Sequence, residues 1–211
     1  MENTDDHSWL KLGSTSSAEV KEIYDDWAAS YDETLKGWDY RAPTQAATYL
    51  RAQMPSNAAI LDVGCGTGLT GAALRAAGFT GPIDGVDLSP DSLKEAKKLN
   101  VYSTLDTANL QTLPLSIADD AYDALICIGV LTYVPDSDSV LREFARMVRP
   151  GGRVLVTQRD DVFHERAFGQ TAKALTDVFS DVAITDPQPY LPDNPDFGAA
   201  IKVIYVMMTV A

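Results

Sequence analysis

The feature that most constrains this chain is a compact apolar run ending in a glycine cluster. Ala58-Ala59-Ile60-Leu61-Asp62-Val63 reads as a buried strand and Gly64-Cys65-Gly66-Thr67-Gly68 as a tight turn. Leu69, Ala72, Ala73 and Ala76 then share one face of the helix that follows. The rest of the sequence keeps that rhythm. Ile83–Asp87 is a second strand, after which Ser89 caps a helix with Pro90 at its first position. Residues 101–106 form a third strand, and 122–128 a fourth that is apolar enough to be buried on both faces. Leu141, Phe144, Ala145 and Val148 stripe a helix that stops at Pro150-Gly151-Gly152, before a fifth strand at 154–156. One helix over 162–179 precedes strands at 181–184 and 201–208, and the proline-rich residues 186–196 are the loop between them. Strands alternating with helices predict an α/β fold with a mainly parallel sheet covered on both faces.

Upstream, residues 1–15 read as a flexible leader. Ser16-Ser17-Ala18-Glu19 is a capping box, and Val20, Ile23, Tyr24, Trp27 and Tyr31 fall on one helical face. Asp25, Asp26 and Asp32 point away from that face. A second helical piece runs from Pro43 through Ala46, Ala47 and Leu50 to Met54. The chain of 211 residues thus divides into a leader (1–15), a helical segment (16–54) and one core domain (55–211).

Thirty acidic against 17 basic side chains give a net charge of −13, which repels nucleic-acid backbones and anionic membrane surfaces. No apolar run is long enough to span a bilayer, and the acidic start lacks the features of a signal peptide. Cys65 and Cys127 are too few for a disulfide scaffold and show no metal-ligand spacing. The expected setting is the cytoplasm, with no metal, no nucleic acid and no membrane, as a monomer or homodimer.

Two cofactors compete for the glycine cluster. Gly66-Thr67-Gly68-Leu69-Thr70-Gly71 matches the dinucleotide pattern G-x-G-x-x-G, and Asp87 follows nineteen residues after Gly68 at the end of the second strand. Asp62-x-Gly64-x-Gly66-x-Gly68, with an acid ahead of the glycines, is instead the adenosylmethionine pattern. Charge separates the two: Asp62 suits a cationic ammonium and sulfonium and not a pyrophosphate. In both, Asp87 is placed to accept ribose hydroxyls. None of the nine tyrosines has a lysine four residues later, which removes the short-chain dehydrogenase pair.

From about residue 20 to 206 the chain resembles the class I S-adenosylmethionine-dependent methyltransferases. Ile60-Leu61-Asp62-Val63-Gly64-Cys65-Gly66-Thr67-Gly68 is similar to that family's first motif, and Gly85-Val86-Asp87-Leu88-Ser89 to its second. The resemblance implies a single Rossmann-like domain with a seven-stranded, mainly parallel sheet whose last strand is antiparallel. It places Asp62, Gly64, Cys65, Gly66, Gly68, Asp87 and Leu88 on the cofactor, S-adenosyl-L-methionine, with S-adenosyl-L-homocysteine as product. Asn109 and Leu110, in Ala108-Asn109-Leu110-Gln111-Thr112-Leu113-Pro114, stand where the family carries its adenine-side segment, with Asn109 replacing the usual acid. Ile128 and Gly129 fall at the methionine end. The segment Tyr24-Asp25-Asp26-Trp27-Ala28-Ala29-Ser30-Tyr31-Asp32 resembles the small methyltransferase-like proteins related to the Williams–Beuren-region methyltransferase. It implies an N-terminal helical lid whose Tyr24 and Tyr31 approach the cofactor.

Methyl transfer from a sulfonium is an in-line displacement for which the cofactor supplies the reactive group. The protein must hold the acceptor and exclude water. Tyr31, Tyr133 and His164 are the candidate catalytic residues, and Trp38, Tyr40, Arg41, Thr132 and Arg159 are further candidate acceptor contacts. Asp160 and Asp161 read as a solvated pair and not as a metal site. The expected acceptor is a neutral or cationic small molecule. The alternatives are an NAD-type oxidoreductase and a non-catalytic S-adenosylmethionine-binding module.

Overall fold

A computed structural model describes residues 16–196, 198 and 200–211; the 1–15 leader lies outside them. The described residues supply eight strands in one sheet: β1 (Ile60–Val63), β2 (Ile83–Asp87), β3 (Thr104–Thr107), β4 (Tyr122–Cys127), β5 (Val148–Arg159), β6 (Phe179–Ile184), β7 (Gln188–Pro189) and β8 (Lys202–Val210). Their order is β3-β2-β1-β4-β5-β8-β6, with the two-residue β7 pairing β8. The strands from β3 to β5 pair in parallel, while β8 runs antiparallel to both β5 and β6.

Each central strand buries both faces, as its unbroken apolar run requires. Leu61, Val63, Leu125, Cys127, Val154 and Val156 face one core. It is closed by α6 (Ser137–Met147) through Val140, Leu141 and Phe144, and by α8 (Phe168–Ala174) through Phe168 and Ala172. The alternate residues Ile60, Ala124, Ile126 and Leu155 face a second core, closed by α3 (Ala42–Arg51) through Ala46, Ala47 and Leu50 and by α4 (Leu69–Ala76) through Leu74. Burying each leucine or isoleucine there contributes about 1.5–3 kcal/mol. A third cluster, built on Trp27, Leu35, Leu191 and Ile201, lies under the N-terminal helices.

Three expectations change. The stripe from Val20 to Tyr31 is not one helix: α1 (Ser17–Trp27) ends, and α2 (Tyr31–Gly37) starts after a turn in which Ser30 N donates to Trp27 O at 3.0 Å. That break brings Trp27 and Tyr31 edge to face, with ring centroids 4.7 Å apart. The single helix over 162–179 is two, α7 (Asp160–Glu165) and α8, because Ala167 adopts a left-handed φ of 50°. The turn sets the rings of Phe163 and Phe168 5.9 Å apart, with Phe168 fully buried. The sheet has eight strands rather than seven, because Gln188 and Pro189 within the proline-rich loop pair with Val203 and Lys202. Ser16 caps α1 as read, accepting from Glu19 N, and α5 (Pro90–Lys98) is capped by Ser89.

Candidate functional site

A cleft of about 790 Å³, open mouth included, lies beyond the carboxyl ends of β1, β2 and β4. This is where an open α/β sheet binds its ligands. Its floor is the backbone of the glycine turn. Gly64 has a φ of 71°, and a side chain there would meet Val130 Cγ2 at 2.2 Å, so only glycine allows β1 to leave the sheet this close to β4. Gly129, at the end of β4 with a φ of 77°, lies beneath the Tyr40 hydroxyl, which stands 2.9 Å from where a Cβ would sit. Gly129 N donates to Thr157 Oγ1 at 2.8 Å, tying that turn to β5.

Asp87 closes one wall. Its Oδ2 accepts from Gly66 N at 2.7 Å and its Oδ1 from Ser89 N at 2.8 Å. Both bonds come from backbone and fix the carboxylate where the cleft can use it. Burial pushes its pKa above the ordinary carboxylate value, against the pull of those same bonds. Leu88, Ala108, Asn109 and Leu110 continue this wall. Asn109 Oδ1 accepts from Gln111 N at 2.9 Å, and Gln111 Nε2 donates to Tyr133 O at 3.0 Å, so this part of the wall is shaped by its own side chains.

The outer wall is α1. Ser17, Val20, Lys21 and Tyr24, at spacing i, i+3, i+4 and i+7, turn one face to the cleft. Tyr24 donates to the Tyr133 hydroxyl at 3.2 Å, and its ring meets those of Tyr31 and Tyr133 at 5.9 Å each. Tyr133 stands on the 3₁₀ turn Leu131–Tyr133. Burial pushes the phenols of Tyr24 and Tyr31 well above the usual tyrosine value, and that of Tyr133 up as well. All three remain protonated at neutral pH.

Asp62 lies behind the glycine turn, fully buried and off the cleft wall. Tyr102 donates to its Oδ2 at 2.7 Å and accepts from Gly71 N at 3.0 Å, while Oδ1 is buried without a hydrogen-bond partner among the described residues. Burial raises the carboxyl to about 7, the Tyr102 bond pulls it back, and Asp87 raises it further.

Of the residues singled out in the sequence, Tyr24, Tyr31, Gly64 and Gly66 line the cleft, as do Asp87, Leu88, Asn109, Leu110, Gly129 and Tyr133. Cys65, Gly68 and Ile128 support it from outside the lining. Burial raises both the Cys65 and Cys127 thiols, which makes them unreactive fillers of the core. His164 is exposed on α7 beside Phe163, away from the cleft. Trp38 packs on Trp27 and Tyr40 on Tyr190, with ring centroids 6.0 and 5.5 Å apart. Arg41 is exposed and paired with Asp39, and Thr132 donates to Gln158 Oε1 at 2.8 Å. Arg159 is buried against Asp161, while Asp160 Oδ1 accepts from Lys202 N at 2.8 Å, so the two acids serve different partners. Among the described residues no group of three metal-ligating side chains converges.

Sequence reading missed Ser17 and Lys21, although the periodicity that found Val20 and Tyr24 places them on the same face. It also missed Val130 and Val134, which carry no local signal. Among the described residues no helix is long and apolar enough to cross a membrane.

Parallel strands in this order, an antiparallel strand inserted beside β5, a glycine turn after β1 and an acid ending β2 define the class. The fold is the one that S-adenosylmethionine-dependent methyltransferases adopt among solved structures, and the chain is similar to them. Residues 61–154 match the family described as a methyltransferase domain. Among curated proteins it is 37% identical to methyltransferase-like protein 27 of Homo sapiens over 145 residues, 67% of this chain and 58% of that protein. It is 40% identical to demethylmenaquinone methyltransferase of Bacillus licheniformis over 114 residues, 52% of this chain and 49% of that protein. The chain therefore spans about half the length of the curated relatives it matches. Among solved structures, an S-adenosylmethionine-dependent methyltransferase of Thermotoga maritima shares the fold with a TM-score of 0.62 at 15% identity, covering 90% of this chain and 98% of that one. Geranyl diphosphate C-methyltransferase of Streptomyces coelicolor, solved with S-adenosylhomocysteine, matches with a TM-score of 0.58 at 15% identity over 80% of this chain and 78% of that one.

Proposed function

We propose that this protein transfers a methyl group from S-adenosylmethionine to a small-molecule acceptor and releases S-adenosylhomocysteine. The observation that carries this reading is the pairing of Asp87 with the glycine turn. Two backbone amides orient a buried carboxylate on the cleft wall, which suits the hydroxyls of a ribose. Asp62, with an unpartnered buried oxygen behind the turn, fits a cationic ligand in front of it and disfavours a pyrophosphate. The bound cofactor would supply the methyl group and a sulfur leaving group.

The chain's own part is to hold and to exclude. Gly64, Gly66, Asp87, Leu88, Asn109 and Leu110 would hold the nucleoside, and Gly129 the far end. Tyr24, Tyr31 and Tyr133 would form the acceptor side, where their protonated hydroxyls donate hydrogen bonds and their rings keep water out. Phenols held protonated are not general bases. The reading therefore favours an acceptor atom that is nucleophilic without strong deprotonation, on a neutral or cationic molecule. The −13 charge agrees with such a substrate.

Calorimetric titration with S-adenosylmethionine, S-adenosylhomocysteine and NAD, side by side, tests the proposal. Binding of the two sulfur nucleotides alone is the expected result. Binding of NAD alone would overturn it and make Gly66 to Gly71 the working fingerprint.

A further inference from the structure

Two of the acids that the helical pattern turned away from the core reach back across the cleft. Ser89 Oγ donates to Asp25 Oδ1 at 2.5 Å, and Thr67 Oγ1 donates to Asp32 Oδ1 at 2.5 Å. Asp25 belongs to α1 and Asp32 to α2, so each lid helix contributes one bond. The two hydroxyls belong to the two loops that shape the nucleotide wall. Thr67 lies inside the glycine turn, 3% exposed, and Ser89 follows Asp87 directly after β2, 1% exposed.

The Asp25 contact is part of a longer chain of bonds. Lys21 Nζ donates to Asp25 Oδ2, Ser92 N donates to Ser89 Oγ at 3.0 Å, and Ser89 N donates to Asp87 Oδ1. Burial alone would raise the Asp25 carboxyl, but the bonds from Lys21 and Ser89 outweigh it and hold the carboxyl below its ordinary value. These links run from the lid to the carboxylate placed for the ribose. They also set the register of α1, whose Val20, Lys21 and Tyr24 are cleft residues.

We propose that Asp25 and Asp32 are positioning residues of the nucleotide site: they clamp α1 and α2 onto Ser89 and Thr67, so that the face of α1 forms the outer wall of the cavity and nucleotide exchanges only when both carboxylate–hydroxyl bonds break. This inference rests on the S-adenosylmethionine reading of the cleft. It assigns Val20 and Lys21 to the nucleotide wall, and it makes the lid's acids determinants of nucleotide residence time. A hydrogen bond to a charged group contributes enough to alter dissociation by about tenfold or more.

The test is the dissociation rate of S-adenosylhomocysteine, measured by stopped-flow displacement on the full chain. Asp25→Asn, Asp32→Asn and Thr67→Val are compared with wild type, with the melting temperature of each nucleotide-free protein recorded alongside. Each single substitution is expected to speed dissociation about tenfold while leaving that melting temperature within 2–3 °C, roughly the effect of 1 kcal/mol in a chain this size. Because Asp32 and Thr67 form one bond, Asp32→Asn combined with Thr67→Val should release nucleotide no faster than either alone. Asp25→Asn combined with Asp32→Asn should multiply. Dissociation within twofold of wild type in all three singles would overturn the proposal, as would additivity of Asp32→Asn with Thr67→Val. If Asp32→Asn fails to fold, Thr67→Val reads the same bond from the other side. Failure of the wild type to bind S-adenosylhomocysteine would instead remove the cofactor reading itself.

Discussion

Asp87 and Asp62 are both buried carboxylates near the glycine turn, yet they face opposite problems. Asp87 has two backbone donors and a cleft in front of it. Replacing it with alanine removes the charged acceptor proposed for the ribose hydroxyls. Two such bonds are worth about 1.5–3 kcal/mol each, so Asp87→Ala should weaken S-adenosylhomocysteine binding by about 100-fold or more in titration calorimetry. Asp62 has one donor and, among the described residues, one oxygen without a partner. Its carboxyl sits near 7 in the folded chain and near its ordinary value of 3.8 when unfolded. The folded state therefore holds the extra proton between those values, and this group's contribution to stability falls as pH rises from about 4 to about 7. By pH 8 the cost is on the order of 4 kcal/mol. Asp62→Asn should flatten that part of the stability profile and raise the melting temperature of the nucleotide-free protein at pH 8 more than at pH 4. Equal shifts at the two values would show that Asp62 ionises normally.

Among the elements, the segment between β3 and β4 depends on α6. Glu143, 7% exposed, accepts from Leu115 N at 2.7 Å and from Arg146. Arg146 in turn donates to the carbonyl oxygens of Leu115 and Ile117. The segment carrying Asn109 and Leu110 is thus pinned to the helix that packs beneath it. Glu143→Ala leaves a buried amide and a guanidinium without their partner, and should cost about 3 kcal/mol in urea unfolding. These links also mark where sequence reading stops. The run from Ile60 to Gly68 was legible because strand, turn and acid are neighbours in the chain, and the buried strands because both of their faces are apolar. Asp25 and Asp32 were not, since a helical wheel shows which side a residue takes but not that Ser89 or Thr67 will meet it there. Tyr102 and Tyr190 share that difficulty. Each acquires its role from a partner far away in sequence, Asp62 and Tyr40 respectively. The kink at Ala167 was invisible for another reason: alanine favours helix, and its left-handed φ brings together the rings of Phe163 and Phe168 without any local signal.

At the scale of the molecule, α1, α2, the glycine turn and the sheet pack around the cleft. A ligand that binds only the folded state should therefore stabilise it. S-adenosylhomocysteine at about 100 times its dissociation constant adds about 2.7 kcal/mol, which for a chain of this size raises the melting temperature by about 5–10 °C. A thermal scan with and without the nucleotide checks this, and NAD at the same concentration should leave the transition where it was. The placement of β8 has a consequence of a different kind. A ribosome delivers β1 to β5 in an order that lets each find a neighbour, but β6 appears with no partner strand, because β8, which must lie between it and β5, is still unmade. At ordinary synthesis speeds the interval lasts on the order of seconds. Throughout it the nascent chain shows the bare flank of β5, including Val154, Leu155 and Val156, to everything in the surrounding fluid. Translation pauses within residues 185–201 would lengthen that exposure, and chaperones that shield unpaired strands would act on this chain after β5 emerges and before β8 does.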